Sequence, residues 1–563
     1  MTSKPDGWNP AFHSPWTPYL SPPSHILPHT LEAGDSYYIG DVYEPSRIGQ
    51  SGELIEKRLL PFKHPATASG PYMRYLESLA QGWPHISYLA DFMKVTAAPP
   101  KQKFLNDQDR RERASRTKVA MLTFEPNAAV HRDDFSNIID LYYALNKSQH
   151  KHDDVHARLF VVEDLSRDVI EALGARFDVD PLFFRGHISD YMWHNTRDPW
   201  VELPDLDIIS RKRSYLHIRY VQTRYFRSED SLMRARWEAG GFNVLRRVDK
   251  DGNWVPDVDI PKSDVGLVRS RTSLWIRPNK PGEKGVLGIL LVDPTVSEGF
   301  PIWGGYRNLV DCPSMTVLPV PRGPSRISTF EDVIHYTSAL TPEEITSIPR
   351  DPRLLFKKTL MIVGAEWSTL VKYATTRLTQ LEWEIENPDL QGDNGGLQVT
   401  IGKLHSWRRR FPIFRTLVLE VLEKVVKREH FASSPENHVH DLRSDFEILL
   451  SNIENLQVRA DRIMSVVTAV MSIEESKKAF EQNRSLARLT WLAITFAPLS
   501  FITGLFSMNS DLLTLVETFR VYFAVALPLT AMVLLLTRFA NVGLENGWRK
   551  LFLYRWMTRT SAK

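Results

Sequence analysis

The stretch LTWLAITFAPLSFITGLFSM, Leu489 to Met508, contains no charged residue. After a short polar loop, VYFAVALPLTAMVLLLT, Val521 to Thr537, is uncharged as well. A helix rises about 1.5 Å per residue and the hydrocarbon core is about 30 Å thick, so each run reaches across a membrane, the second only just. Two core helices of a soluble protein would be the other reading. Runs of this kind closed off by Arg488, Arg520 and Arg538 are rare in cores. The sequence therefore predicts an α+β membrane protein. A cytosolic mixed α/β domain and a long helical stalk lead into a C-terminal two-helix transmembrane hairpin, with spans 489–508 and 521–537.

The residues around the spans set an orientation. Lys477, Lys478, Arg484 and Arg488 precede the first span, and Arg538, Arg549, Lys550, Arg555 and Arg559 follow the second. The loop between them, Asn509 to Arg520, carries the acidic Asp511 and Glu517. The positive-inside rule puts both termini in the cytosol and the loop outside. The expectation is a multi-pass integral membrane protein, placed in the plasma membrane.

Most of the chain is of another kind. Over 563 residues the mean hydropathy is −0.27 and 24% of residues are charged, which implies a large cytosolic part. A formal net charge of +3 is too small to argue for nucleic acid as a partner. The single cysteine, Cys312, excludes an intrachain disulfide framework. No hydrophobic signal sequence opens the chain, and Lys4 is the only Lys or Arg before Arg47, unlike a mitochondrial presequence.

Residues 1–110, dense in Pro, Ser and aromatics at the start, are expected to be a disordered tail without regular helix or central strand. Residues 111–340 form the expected α/β domain, entered through the solvated run Lys101 to Lys118. Strands are expected at KVAMLTF, ARLFVVEDL, SYLHIRYVQTRYF, SLWIRP and GVLGILLVD. Helices are expected over Phe135 to Leu145 and over DVIEALGARF, the latter N-capped by Ser166 and ending before Asp178. Residues 294–330, rich in Pro and Gly, read as a connector. Residues 341–488 form the stalk, opened by a capping box at Thr341-Pro342-Glu343-Glu344. Two helical stretches, Pro352 to Glu386 and Leu397 to His430, flank GDNGG and are expected to pair antiparallel. The hairpin spans 489–537, and 538–563 is a basic cytosolic tail.

Two polar clusters invite a chemical reading. His150, His152, Asp153, Asp154 and His156 are ligands in type, but a solvated loop accounts for them better. Glu163, Asp164 and Asp168 fall at a strand end and a helix start, where carboxylates favour the helix dipole over acid–base work. No Gly-rich phosphate loop, nucleophile elbow or paired zinc spacing occurs, so neither an enzyme nor a bound cofactor is expected.

Between Pro435 and Pro498 there is neither Pro nor Gly. Leu442, Phe446, Leu449, Ile453, Leu456, Ala460, Ile463, Val467 and Val470 repeat at spacings of four and three, a heptad seam. It can pack within the chain or around an axis of self-association. In the first span Ala493, Ala497, Ser500 and Gly504 form a stripe of small or weakly polar residues, continued towards the cytosol by Leu489 and Leu486. Such a stripe suits close helix packing and equally suits a narrow pore ringed by identical helices.

The run LTWLAITFAPLSFITGLFSMN resembles the first transmembrane helix of the CorA family of magnesium channels. Leu489-Thr490, Phe496, Pro498-Leu499, Ser500, Phe501, Gly504 and Met508-Asn509 fall in register with that family's pattern without a gap. The layout of the C-terminal half is similar too. The N-terminal two-fifths resembles, in texture only, the divergent CorA-like proteins of fungi. The resemblance implies a homopentamer in the lipid bilayer that moves divalent cations, Mg²⁺ first, as transported ion. Ser507, Met508 and Asn509 would be its selectivity filter. Five Asn509 carboxamides would hold a hydrated ion, since Mg²⁺ gives up its water reluctantly. Leu486 and Leu489 would form a hydrophobic constriction, Ser500 a polar ring, with Ala493, Ala497 and Gly504 lining the rest. Two positions depart from the family: its filter glycine is Ser507, and its acidic stalk position falls near Ser472, beside Glu474 and Glu475. A membrane-anchored scaffold or signalling protein that keeps the fold without conducting is the alternative.

Overall fold

The computed structural model describes residues 70–86, 89–90, 92–93, 115–126, 128–147, 155–189, 204–239, 242–244, 246–252, 260, 262–277, 285–307, 309, 312–317, 319, 323–386, 397–426, 442–507 and 519–537. The chain divides into two compact units, Met1–Ile463 and Met464–Lys563.

The first unit is built on one mixed sheet. Its strands are β1 (Lys118–Phe124), β2 (His131–Phe135), β3 (Ala157–Glu163), β4 (Tyr215–Phe226), β5 (Val248–Asp251), β6 (Asp264–Ile276), β7 (Val286–Val292) and β8 (Phe300–Pro301). The order is β2-β1-β3-β7-β6-β4-β8, with β5 also on β6. Only the β3–β7 pair is parallel. The long β6 pairs with β4 along its whole length, while its other edge takes β7 at residues 272–276 and β5 at 265–268. All of β6 and β7 is buried, so VLGILLV reads as a continuous apolar run rather than an alternating one.

Helices cover both faces. On one lie α1 (Pro71–Gly82), α2 (Ile138–Lys147), α3 (Arg167–Phe177) and α4 (Pro181–Ile188), whose apolar residues share a core with Phe160, Val162, Leu287, Ile289 and Leu291. The short α5 (Asp207–Ser210) and α6 (Glu229–Ala239) complete the strand connections. After α7 (Thr329–Ser338) and α8 (Pro342–Ser347) come the long α9 (Leu354–Glu386) and α10 (Leu397–Val421), which pack against β4 on the other face.

Helix α1 corrects the expectation of a structureless N-terminal region. Pro71 stands in its first turn, where a missing N–H costs nothing, and Tyr72, Met73 and Leu76 are buried on its inner side. The Glu171 carboxylate of α3 accepts hydrogen bonds from the Tyr72 and Met73 amides at 2.8 and 2.9 Å. An acidic group there satisfies orphan donors and the helix dipole together. The rest of residues 1–69 lies outside the described residues.

Most other expectations hold with small shifts. β1, β3, β4 and β7 fall where the apolar runs place them, and SLWIRP is the end of β6. The helix expected over Phe135 to Leu145 is Ile138–Lys147, because DDF extends β2 to Phe135. Ser166 stands at the N-cap of α3, but its side chain makes no capping bond; the helix does end before Asp178, which is left-handed. The connector contributes β8 to the sheet edge. Thr341 and Glu344 form the reciprocal capping box.

Helices α9 and α10 run antiparallel. Glu384 meets Thr400, Tyr373 meets Trp407 and Trp367 meets Phe414, so numbers fall on one helix as they rise on the other. α10 passes into a π-helical turn at Leu422–Val426. The next helix, α11 (Arg443–Phe506), begins in the first unit and ends in the second. Arg459 pairs with Glu382 of α9, and Arg415 and Arg408 of α10 pair with Glu454 and Asp461. The seam residues Leu442, Phe446, Leu449, Ile453, Leu456, Ala460 and Ile463 are all buried by the chain itself. Up to Ile463 the seam is therefore covered within the first unit; Val467 is buried and Val470 half-buried in the second.

The second unit holds the rest of α11 and α12 (Phe519–Thr537). Both are long and apolar enough to cross a membrane. Proline at 498 stays inside α11, as membrane helices tolerate.

Candidate ion pathway

The first span is helical because its β-branched and aromatic residues need no water, and every backbone group must be satisfied internally in lipid. Its Thr side chains join in: Thr490, Thr495 and Thr503 donate to the carbonyls of Leu486, Trp491 and Leu499 at 2.7–2.8 Å. No hydrogen bond from the Ser500 hydroxyl occurs among the described residues.

Two opposite faces of this span differ sharply. Ile502 is 3% exposed and Ala526 of α12 is fully covered, while Thr503 Oγ1 and the Tyr522 hydroxyl lie 3.1 Å apart. This is the side on which the hairpin closes. At about 100° per residue, Ile502 stands about 180° from Ala493. Ala493, Ala497, Ser500 and Gly504 occupy that far side and are all exposed, and a Cβ added at Gly504 would meet nothing within 4 Å. Leu486 and Leu489, on the same line, are 58% and 63% exposed. The six residues expected to line a pore thus share one face, and the chain's own second span does not cover it.

At the C-terminal end of α11 the Ser507 amide donates to the Thr503 carbonyl at 3.0 Å, so the helical bonding pattern reaches Ser507. Ser507 is exposed and is not among the residues with positive φ. Met508 and Asn509 lie outside the described residues, as do Asp511 and Glu517 of the loop. Ser472, near which the resemblance puts the family's acidic stalk position, is exposed and its hydroxyl bonds back to Thr468.

The polar clusters of the first unit serve the fold. Glu163 pairs with Lys118 at 2.7 Å, Asp164 accepts from the Asn243 amide at 2.8 Å, and Asp168 pairs with Arg167 at 3.3 Å. They do not converge. Of the histidine-rich cluster, only His156 is described, held by backbone bonds to Phe124 and Val286; His150, His152, Asp153 and Asp154 lie outside. Among the described residues no group of three or more His, Cys, Asp or Glu could hold a metal.

One buried polar cluster escaped the sequence reading. Asp293, at the end of β7, accepts from Arg246 at 2.5 and 3.0 Å and from the Arg271 amide at 2.5 Å. His187 and His217 both reach the Ser273 hydroxyl through Nδ1, at 2.9 and 2.7 Å. Burial, reinforced by Arg246 and Arg271 for the first and by Arg271 and Arg213 for the second, holds both imidazoles well below their usual pKa. Arg269 and Arg271 stand in VRSRTS of β6, a strand buried along its whole length, and no apolar run or spacing in that segment marks them as core residues.

Residues 336–540 match the family described as CorA-like Mg2+ transporter protein. No curated protein matches the chain. Among solved structures it is similar to the complete CorA magnesium transporter of Methanocaldococcus jannaschii, with 14% identity over 74% of this chain and 97% of that one and a TM-score of 0.36. It is also similar to the full-length CmaX protein, with 12% identity over 77% and 98% and a TM-score of 0.32.

Proposed function

We propose, from the match of residues 336–540 to the CorA-like Mg2+ transporter family, that the chain is one subunit of a homo-oligomeric channel for divalent cations. The observation that carries this reading is the bare stripe. A face of small and weakly polar residues opposite the hairpin contact lets another backbone come close in lipid, and copies of the same helix around an axis would use it. Five copies, the number the resemblance implies, would leave a narrow lumen. Each would turn Ser500 inward as an uncommitted hydroxyl, and Leu486 and Leu489 would form a dewetting constriction at the cytosolic end.

At the opposite mouth, Asn509 carboxamides would hydrogen-bond the water of a hydrated ion. A neutral acceptor suits an ion that must be released again, and the helix C-terminus directs partial negative charge to the same point. Mg²⁺ is the expected cargo, with both termini in the cytosol and the plasma membrane as the site. The membrane potential would drive entry.

Reconstitution into liposomes tests this. Protein purified in mild detergent should be a pentamer by native mass and should admit Mg²⁺ under an inside-negative potential, and Asn509→Ala should abolish that uptake. A monomer would remove the lumen, and a pentamer without cation flux would favour the non-conducting scaffold. Uptake that survives Asn509→Ala would show that the filter lies elsewhere.

A further inference from the structure

Away from the membrane spans, the first unit carries an open cleft of about 490 Å³ where β4, β6 and β8 meet α9. Its walls include Tyr225, Phe300, Trp303 and Tyr373, together with Arg227 and Arg377, and among the described residues no Asp or Glu lines it. A cleft with aromatic faces, two guanidinium groups and no carboxylate is unsuited to a cation. It matches a ligand that is planar at one end and anionic at the other.

The two arginines have different parts. Arg377 is committed: it pairs with Asp251 at 3.2 Å and donates to Gln380 and to the Gly252 carbonyl. Tyr373 is tied to the same Asp251 at 2.5 Å. These bonds make one wall rigid. Arg227, by contrast, is exposed and its guanidinium lies 4.9 Å from the centre of the Phe300 ring, with no carboxylate partner among the described residues. A guanidinium supported on an aromatic face keeps its outward N–H groups free for a phosphate, which they match in a bidentate way.

The lip that carries Trp303 is unusual in its backbone. Trp303 has φ 52° and ψ 35°, and Gly304 and Gly305 are left-handed as well. Glycine takes this conformation freely, whereas a bulky residue such as tryptophan pays about 1–2 kcal/mol for it. The ring so placed is 53% exposed and lines the cleft, giving no packing return for the strain. Strained backbone that presents a side chain to an open site points to a ligand.

We propose that this cleft binds a purine nucleotide, with the base stacked on Trp303 and the phosphates on Arg227. The base needs an exposed aromatic face and the phosphates an unpaired guanidinium, and the cleft offers both side by side. A purine uses the larger indole face more fully than a pyrimidine does. The site lies entirely in the first unit, so it stands or falls separately from cation conduction.

Calorimetric titration of the full-length protein, in detergent and Mg²⁺-free buffer so that chelation adds no heat, tests the assignment. ATP should bind saturably, and adenosine and inorganic tripolyphosphate each about tenfold more weakly or worse, since each keeps only half of the contacts. Trp303→Gly keeps the left-handed backbone and removes the ring, and it should weaken ATP about tenfold, the lower part of the range for losing one base-stacking partner; Arg227→Gln should weaken it to a similar extent through the phosphates. Trp83→Ala, an exposed tryptophan outside the cleft, should change nothing. Tripolyphosphate binding as tightly as ATP would reduce the site to a basic surface. No ATP binding by the wild type, or ATP binding that survives both cleft substitutions, would overturn the proposal.

Discussion

Helix α11 carries two apolar stripes with the same spacing of three and four residues and opposite fates. From Leu442 to Ile463 the stripe is buried by α9, α10 and its own chain, with Phe446 1% and Ala460 0% exposed. From Leu486 to Gly504 the stripe lies bare, although it sits in the more apolar part of the helix. Periodicity says that a face will be covered and is silent about what covers it. Composition supplies the missing part. The buried stripe is Leu, Ile and Phe apart from Ala460, side chains that fill a core; the bare one is Ala, Ser and Gly at its centre, which let another backbone come close.

The largest effect that separates the two is on folding. Ile453 and Leu456 are buried within the first unit of the same chain, so Asp at either position buries an unpaired carboxylate in a monomer core. Ile453→Asp should cost about 3 kcal/mol or more and show as lost expression or a collapsed thermal transition. Had the seam held copies together, the same substitution would give a folded monomer, and native mass measurement distinguishes the two outcomes.

The legible and the illegible parts of the molecule divide along the same line. The spans, the capping box at Thr341 and the strands were readable because each rests on local composition. Helix α1 was not, since the proline-dense tail hides the Tyr72, Met73 and Leu76 face whose partner, Glu171, lies 98 or 99 residues away. Nor was the Asp293 cluster, whose Arg246 and Arg271 donate to the His187 and Gly186 carbonyls of α4, far away in sequence. Of the candidate pathway, the common face of Leu486, Leu489, Ala493, Ala497, Ser500 and Gly504 followed from helix geometry alone. The filter at Met508-Asn509 came from resemblance and lies outside the described residues.

Acid should act on the covered region and spare the bare one, because the stripe has no titratable group. His187 faces Arg246, Arg271, His217 and Asp293; His217 faces Arg271, Arg213, Arg219 and Lys424. Both are neutral in the folded chain with pKa lowered from 6.5, whereas the unfolded chain binds those protons as pH falls through that value. Their contribution is therefore present above about pH 6.5 and lost below it, by up to about 1.4 kcal/mol per pH unit for each histidine. The melting temperature should drop between about pH 7.5 and about pH 5.5, and His217→Gln should flatten that drop. An unchanged slope would place the acid sensitivity elsewhere.

A smaller effect concerns the cytosolic end of the bare stripe. If Leu486 and Leu489 meet their copies in a dewetted ring, Asn at either position hydrates it and should raise basal Mg²⁺ flux severalfold. Melting should hardly move, since neither side chain is packed within its own chain. Unchanged flux in both variants of a conducting channel would remove the constriction from this level.

The smallest expected effect is at Ser507, where the family has glycine. A glycine is needed only if the turn requires a left-handed backbone, and there serine would be strained by about 1 kcal/mol. The Ser507 amide instead bonds to Thr503 at 3.0 Å, as in an unbroken helix, and its φ is not positive. Ser507→Gly therefore relieves no strain and only loosens the last turn before the filter. It should leave Mg²⁺ uptake within about twofold of wild type, a change worth about 0.4 kcal/mol. A large gain in uptake from Ser507→Gly would mean that the conducting filter leaves the helix one residue earlier, with serine holding Asn509 off the axis. That outcome would also make the bare stripe end at Gly504, and the comparison between the two stripes would then need a shorter pore.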